Sequence, residues 1–136
     1  MNISKFTQKS VQAVQDLEKV AYEYGNQEVE QEHLLYALLT QEDSLILKLI
    51  EKMEINKDYF INTVKKALDA KVKVSGGDLR FGQYLNKSLV NAENEAKAMG
   101  DEYVSVEHLF LSLLTQPSPS MKKIFNEFGI TRERFL

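Results

Sequence analysis

Apolar residues recur along this chain at helical spacing. Leu85, Leu89, Ala92, Ala96 and Met99 follow one another at intervals of 4, 3, 4 and 3 residues, which places them on one face of an α-helix. Phe6, Val14, Leu17, Ala21 and Tyr24 trace a similar stripe. Thr7 is placed to cap its start and Gly25 to end it. Further helices are predicted over about 30–41, 44–53 and 57–70, then over about 105–116, 120–128 and from 131 onward. Long stretches without Gly or Pro, rich in Ala, Leu, Lys, Glu and Gln, favour helix over strand. No window shows a sustained period of two. The predicted fold class is all-α.

The pattern is also duplicated. A shift of 75 residues lays Glu32-His33-Leu34 on Glu107-His108-Leu109, and Leu38-Leu39-Thr40-Gln41 on Leu113-Leu114-Thr115-Gln116. Phe6, Gln8, Gly25, Val29, Ile55 and Phe60 meet identical residues under the same shift. Residues 6–60 and 81–135 align without a gap, with 16 identities in 55 positions; composition alone gives about 3. Two repeats of about four helices each are expected, spanning 6–70 and 81–136. Lys71–Arg80 joins them, broken by Gly76-Gly77. Two long units suit one pseudo-twofold globule better than a solenoid. The helix from Lys57 runs to about Ala70, whereas its counterpart from Thr131 reaches the last residue, Leu136, after six residues. That last helix is read as truncated, and the chain as part of a longer protein.

Charge and composition narrow the function. There are 17 Lys and Arg against 20 Asp and Glu, a formal charge of −3, where a nucleic-acid binder would carry a basic face. The chain has no Cys, and so no disulfide framework, thiol nucleophile or thiolate metal site. No apolar run approaches a membrane span, and the first residues lack the apolar core of a secretory signal. A cytoplasmic location is expected. No G-x-x-x-x-G-K-[ST] loop is present to cradle phosphates. His33 and His108 are not spaced as two ligands on one helical turn; their shared context in two repeats suggests that each orients the start of a helix. No catalytic and no metal-ligating residue is assigned.

A Phe-Thr near the N-terminus, a long helix ending at Gly25, and Glu-His-Leu repeated about 75 residues later resemble the Clp repeat domain, which heads the AAA+ unfoldases and disaggregases of the Clp class. Within that class, Val72–Gly77 and Gly100–His108 are most similar to ClpB-type disaggregases, with ClpC-type unfoldases second. The resemblance implies an eight-helix pseudo-twofold bundle. It also implies a role as substrate-recognition domain of a hexameric, ATP-dependent chaperone whose ATP and Mg belong to other modules. Expected partners are unfolded or aggregated protein segments, with adaptor proteins as an alternative; neither nucleic acid nor membrane is expected. The isolated chain is expected to be a monomer and not an enzyme.

Seven residues carry the expected substrate contacts. By resemblance to ClpB-type domains, these include Thr7, Asp101 and Glu107. By resemblance to ClpC-type domains, Thr7 pairs with Glu32 in a polar site for phosphorylated arginine; the second repeat has Glu107 but Gly82 in place of the threonine. The first-turn position of Glu32 and Glu107 is also favourable to a helix in its own right. Val90 lies off the 85–89–92–96 stripe and is expected on the surface, where it would meet Leu109 and Phe110 across a groove at the seam between repeats.

Overall fold

A computed structural model describes residues 3–136. The described residues hold eight helices: α1 (Gln8–Glu23), α2 (Gln31–Leu39), α3 (Leu45–Lys52), α4 (Lys57–Asp69), α5 (Gln83–Ala98), α6 (Val106–Thr115), α7 (Pro119–Phe128) and α8 (Arg132–Phe135). Two strands of two residues each, β1 (Glu28–Val29) and β2 (Arg80–Phe81), complete the order. The fold is all-α, and α1–α4 and α5–α8 follow the sequence repeat.

Helix starts are set by short polar side chains. Thr7, Ser44, Asn56, Ser118 and Thr131 each accept the backbone N–H three residues on, which satisfies a donor with no partner inside the helix. Gly82, at the start of α5, has no such side chain. At the end of α7, Gly129 adopts φ +65°; the matching residue after α3 is Glu54, held at φ +61°. An L-residue with a Cβ is strained there, and the first repeat carries that strain.

The core forms around α2 and α6, which touch across the seam between repeats. Both are buried on nearly every side and, beyond their first turns, almost wholly apolar, as suits a helix inside a bundle. Leu34, Leu35, Leu38 and Leu39 of α2 and Leu109, Phe110 and Leu113 of α6 are all buried. The amphipathic helices α1 and α5 cover α2 and α6 respectively, each turning its stripe inward: Ala13, Leu17 and Ala21 on one, Leu85, Leu89, Ala92 and Ala96 on the other. Met99 falls off the end of its stripe and is exposed. Phe110 is gripped edge-on by Phe125, with Phe135 tilted against it.

The strands are the main departure from expectation. Phe6 is buried as part of a parallel bridge to Val104 and lies outside α1. β1 pairs in parallel with β2, Glu28 opposite Arg80 and Val29 opposite Phe81. Two-residue strands are too short to show a period of two. Their effect is topological: the segment entering each repeat pairs with the other repeat. Thr7 N–H donates to Val104 O (3.0 Å), and Gly82 N–H donates to Val29 O (2.8 Å). The two halves are thereby interlocked.

Candidate functional site

The two Glu-His-Leu motifs build the starts of α2 and α6 in the same way. His33 Nδ1 accepts the Glu30 N–H (2.8 Å), and His108 Nδ1 accepts the Ser105 N–H (2.9 Å). The histidine thus fills the place three residues into the helix that Glu or Gln fills in a capping box. Because a backbone N–H is always the donor, Nδ1 carries no proton and the hydrogen resides on Nε2. That Nε2–H points at Asn26 Oδ1 (3.0 Å) in the first repeat and at Asp101 Oδ2 (2.8 Å) in the second. Asn26 and Asp101 are 75 residues apart, so the repeat preserves the clamp while changing its charge. His33 lies deep enough that burial, helped by the positive charge of Lys71, pushes its pKa down to about 4, against a smaller opposing pull from Glu32. Both histidines orient backbone.

The glutamates beside them have different surroundings. Glu32 is buried, accepts a hydrogen bond from Ser120 Oγ (2.6 Å) and pairs with Lys71 Nζ (3.3 Å). Lys71 also holds Glu30 (2.7 Å). Burial alone would lower the pKa of Lys71, but the two carboxylates outweigh it and the net shift is upward. Next to Glu32, the fully buried Gln31 donates to Ser88 Oγ and Gln116 O and accepts the Ser118 N–H. Gln31 and Glu32 of α2's first turn therefore both reach into the second repeat, while His33 turns back to Asn26 of its own. The matching residues of α6 are Val106 and Glu107, and Glu107 is exposed. Nothing in the sequence distinguished Gln31, because its repeat partner is a valine.

Thr7 and Glu32 do not form one site. Gln41 Nε2 donates to Lys9 O, and Lys9 Nζ donates to Glu42 O, which fixes the start of α1 beside the end of α2. Glu32 sits at the other end of α2, nine residues before Gln41, or about 13 Å along a helix axis. The crossed strands bring Thr7 instead to the α6 end of the molecule, where Asp101 and Glu107 also lie, and Gly82 to the α2 end with Glu32. The Thr7 hydroxyl accepts the Ser10 N–H (3.2 Å) and donates to Ser10 Oγ (3.0 Å). Of the polar residues expected to touch substrate, Thr7, Asp101 and Glu107 are grouped and Glu32 is separate.

Leu109 and Phe110 are wholly buried and line no groove. A helix apolar all round offers its large side chains to the core from every direction, so exposure of these two would require the seam to open. Val90 is 59% exposed on the outer face of α5, and Tyr84 is 45% exposed at that face's edge. Next to Val90, Asn91 Nδ2 donates to Gln116 Oε1 (2.7 Å). Gln116 is on the rim of an open cleft of about 630 Å³ lined by Leu114, Pro117, Phe125, Ile130 and Arg132. Arg132 closes one side through Glu95 (2.6 Å) and Thr115 (3.1 Å). Among the described residues no cluster of three or more His, Cys, Asp or Glu could hold a metal, and no helix is long and apolar enough to cross a membrane.

Known proteins share this arrangement. The Clp repeat (R) N-terminal domain matches residues 5–128. Chaperone protein ClpB of Nitratidesulfovibrio vulgaris is 39% identical over 142 aligned residues, and that of Clostridium tetani 40% over 141; each alignment covers 100% of this chain and 16% of the relative. The chain thus spans about one sixth of the curated relatives it matches. The N-terminal domain of Hsp104 from Candida albicans superposes with a TM-score of 0.84 at 21% identity, covering 97% of this chain and 87% of that one. A ClpV N-domain, solved in complex with a VipB peptide, superposes with a TM-score of 0.73 at 22% identity, covering 96% and 82%. With the duplicated histidine clamps and interlocked halves, the chain belongs to the Clp repeat N-terminal domain family.

Proposed function

We propose that this chain is the substrate-recognition domain of an ATP-dependent Clp/Hsp104-type chaperone, weakly holding exposed segments of misfolded protein for a hexameric ATPase ring. The observation that carries the reading is the exposed Val90, whose neighbour Asn91 reaches Gln116 on the rim of an open cleft where Leu114 and Pro117 are half-buried. A cleft of mixed polar and apolar lining suits an extended segment that offers small side chains to the opening and main chain to the polar groups around it. The peptide carried by a ClpV N-domain supports a peptide as occupant. Weak binding suits the task, because six tethered copies raise avidity without a contact that resists release into the pore. ATP and Mg are assigned to modules outside this chain, and the parent protein to the cytoplasm. Recognition of phosphorylated arginine by a Thr7–Glu32 pair has less support, since Glu32 is held by Lys71 and Ser120.

Titration of the isotopically labelled chain with reduced, carboxymethylated lactalbumin, a permanently unfolded protein, tests the site. Signals of Val90, Gln116 and Ile130 are expected to shift, and Val90→Glu to weaken binding. Shifts confined to residues 8–69 would overturn the assignment.

A further inference from the structure

The second repeat contains a polar contact whose counterpart in the first isolates its purpose. Asp101 is half-exposed and carries a charge at the corner where Thr7 and Glu107 gather, so it looks like a residue that meets substrate directly. Its side chain bonds to His108 Nε2 (2.8 Å). The ring's other nitrogen accepts the Ser105 N–H, and Ser105 Oγ lies 3.0 Å from it. The imidazole therefore ties Asp101 to the residue that begins α6. The intervening loop is pinned at both flanks: Asp101 N–H donates to Ala96 O, and Val104 exchanges hydrogen bonds with Lys5 and Thr7. In the first repeat the same ring geometry is completed by Asn26, which is neutral and nearly buried. An amide oxygen thus does there what the Asp101 carboxylate does here. The clamp needs an acceptor for Nε2–H and does not need a charge.

We propose that Asp101 is a positioning residue: it fixes the His108 ring, and through it the first turn of α6 that presents Glu107, without itself contacting substrate. This rests on the reading of the chain as a substrate-recognition domain, and it assigns the direct polar contact at this corner to Glu107, whose exposed side chain has no partner among the described residues. The charge of Asp101 is dispensable; its oxygen is not.

The test compares Asp101→Asn with Asp101→Ala in the whole chain, using imidazole ¹⁵N signals and the affinity for reduced, carboxymethylated lactalbumin. His33, with Asn26 as its natural acceptor, is the internal standard. In Asp101→Asn, His108 is expected to keep the Nε2–H form, and affinity to stay within about twofold of the parent. In Asp101→Ala the tautomers mix, the Ser105–Glu107 amide signals move, and affinity falls by about fivefold, the value of one lost hydrogen bond. If Asp101→Asn loses affinity as Asp101→Ala does while His108 keeps its tautomer, the charge itself meets substrate and the proposal is wrong. It is equally wrong if Asp101→Ala frees the ring and affinity is unchanged. Failure of the parent chain to bind at all would defeat the substrate-recognition reading. The positioning claim would then be decided by whether the Ser105–Glu107 signals move in Asp101→Ala and stay in place in Asp101→Asn.

Discussion

Acidification should loosen this domain through His33. In the unfolded chain a histidine titrates near 6.5, whereas burial and Lys71 hold folded His33 down to about 4. Between these values the unfolded state binds a proton that the folded state refuses, so stability rises with pH across the window and is lost as pH falls through it. With those two pKa values, the loss from pH 7 to pH 5 is about 2 kcal/mol, approaching about 3 kcal/mol near pH 4. Structure gives the same sign, because a proton on Nδ1 would break the bond from the Glu30 N–H. Other shifted groups lie outside the window: Asp43 is lowered by Lys48, so its titration falls at more acid pH, and Lys71 is raised. Urea unfolding at pH 7 and pH 5 measures the effect as a drop in midpoint of about 1 M, taking about 2 kcal/mol per molar for a chain of this size. His33→Gln, whatever its own cost, should flatten the pH slope. A midpoint indifferent to pH over this range, or an equal slope in His33→Gln, would refute the reasoning.

The remaining expectations concern stability and are read from thermal or urea melts. Glu54→Gly removes a Cβ from a left-handed position that Gly129 fills in the other repeat, and should stabilise by about 1 kcal/mol. Thr7→Ala removes the cap of α1 and should cost about 1 kcal/mol. Gly82→Ser should recover a few tenths of a kcal/mol by capping α5; its new Cβ comes 2.8 Å from Glu28 Oε1, the far end of an exposed side chain that can move. Lys71→Met leaves Glu32 charged, buried and unpaired, at a cost of about 3 kcal/mol. It should also raise the pKa of His33, since the lysine is one of the charges that lowers it.

Most of the helices were legible because each is governed by local chemistry: an inward stripe, a capping side chain at the start, and a break at the end. The repeat added pairing information, since an identical residue at 75-residue spacing points to a shared place in its helix. His33 and His108 show this most clearly. What could not be read was the crossing of the halves. Phe6 and Phe81 look equivalent, and the sequence contains nothing to say that each pairs with the other repeat. The sequence therefore allows Thr7 to be set either with Glu32 of its own repeat or with Asp101 and Glu107 of the other, and the parallel bridge to Val104 places it on the side of the second group. Leu109 and Phe110 were misplaced for a related reason. A helix that is apolar on all sides gives no periodic cue to which side faces solvent, and α6 has solvent on almost none.

Duplication explains why the two ends of this molecule have come to differ in what they offer. Positions that answer to their own helix keep their identity: His at the third position, Glu at the second, Leu inside. Positions that face the other repeat are free to diverge, because a seam needs complementary partners and not identical ones. Gln31 against Val106, Ser120 against Leu45 and Thr7 against Gly82 are all of this kind. The same glutamate therefore has two fates. At α2 the seam surrounds it with Ser120 and Lys71 and removes it from solvent, where an external ligand would first have to displace a buried ion pair. At α6 no such partner is found among the described residues, and Glu107 is exposed, where contact with a passing segment requires little desolvation of the protein. A recognition surface can be built only from what the seam leaves free. On the proposed reading, what the seam leaves free in the second repeat is Glu107, Val90 and the cleft beside Gln116.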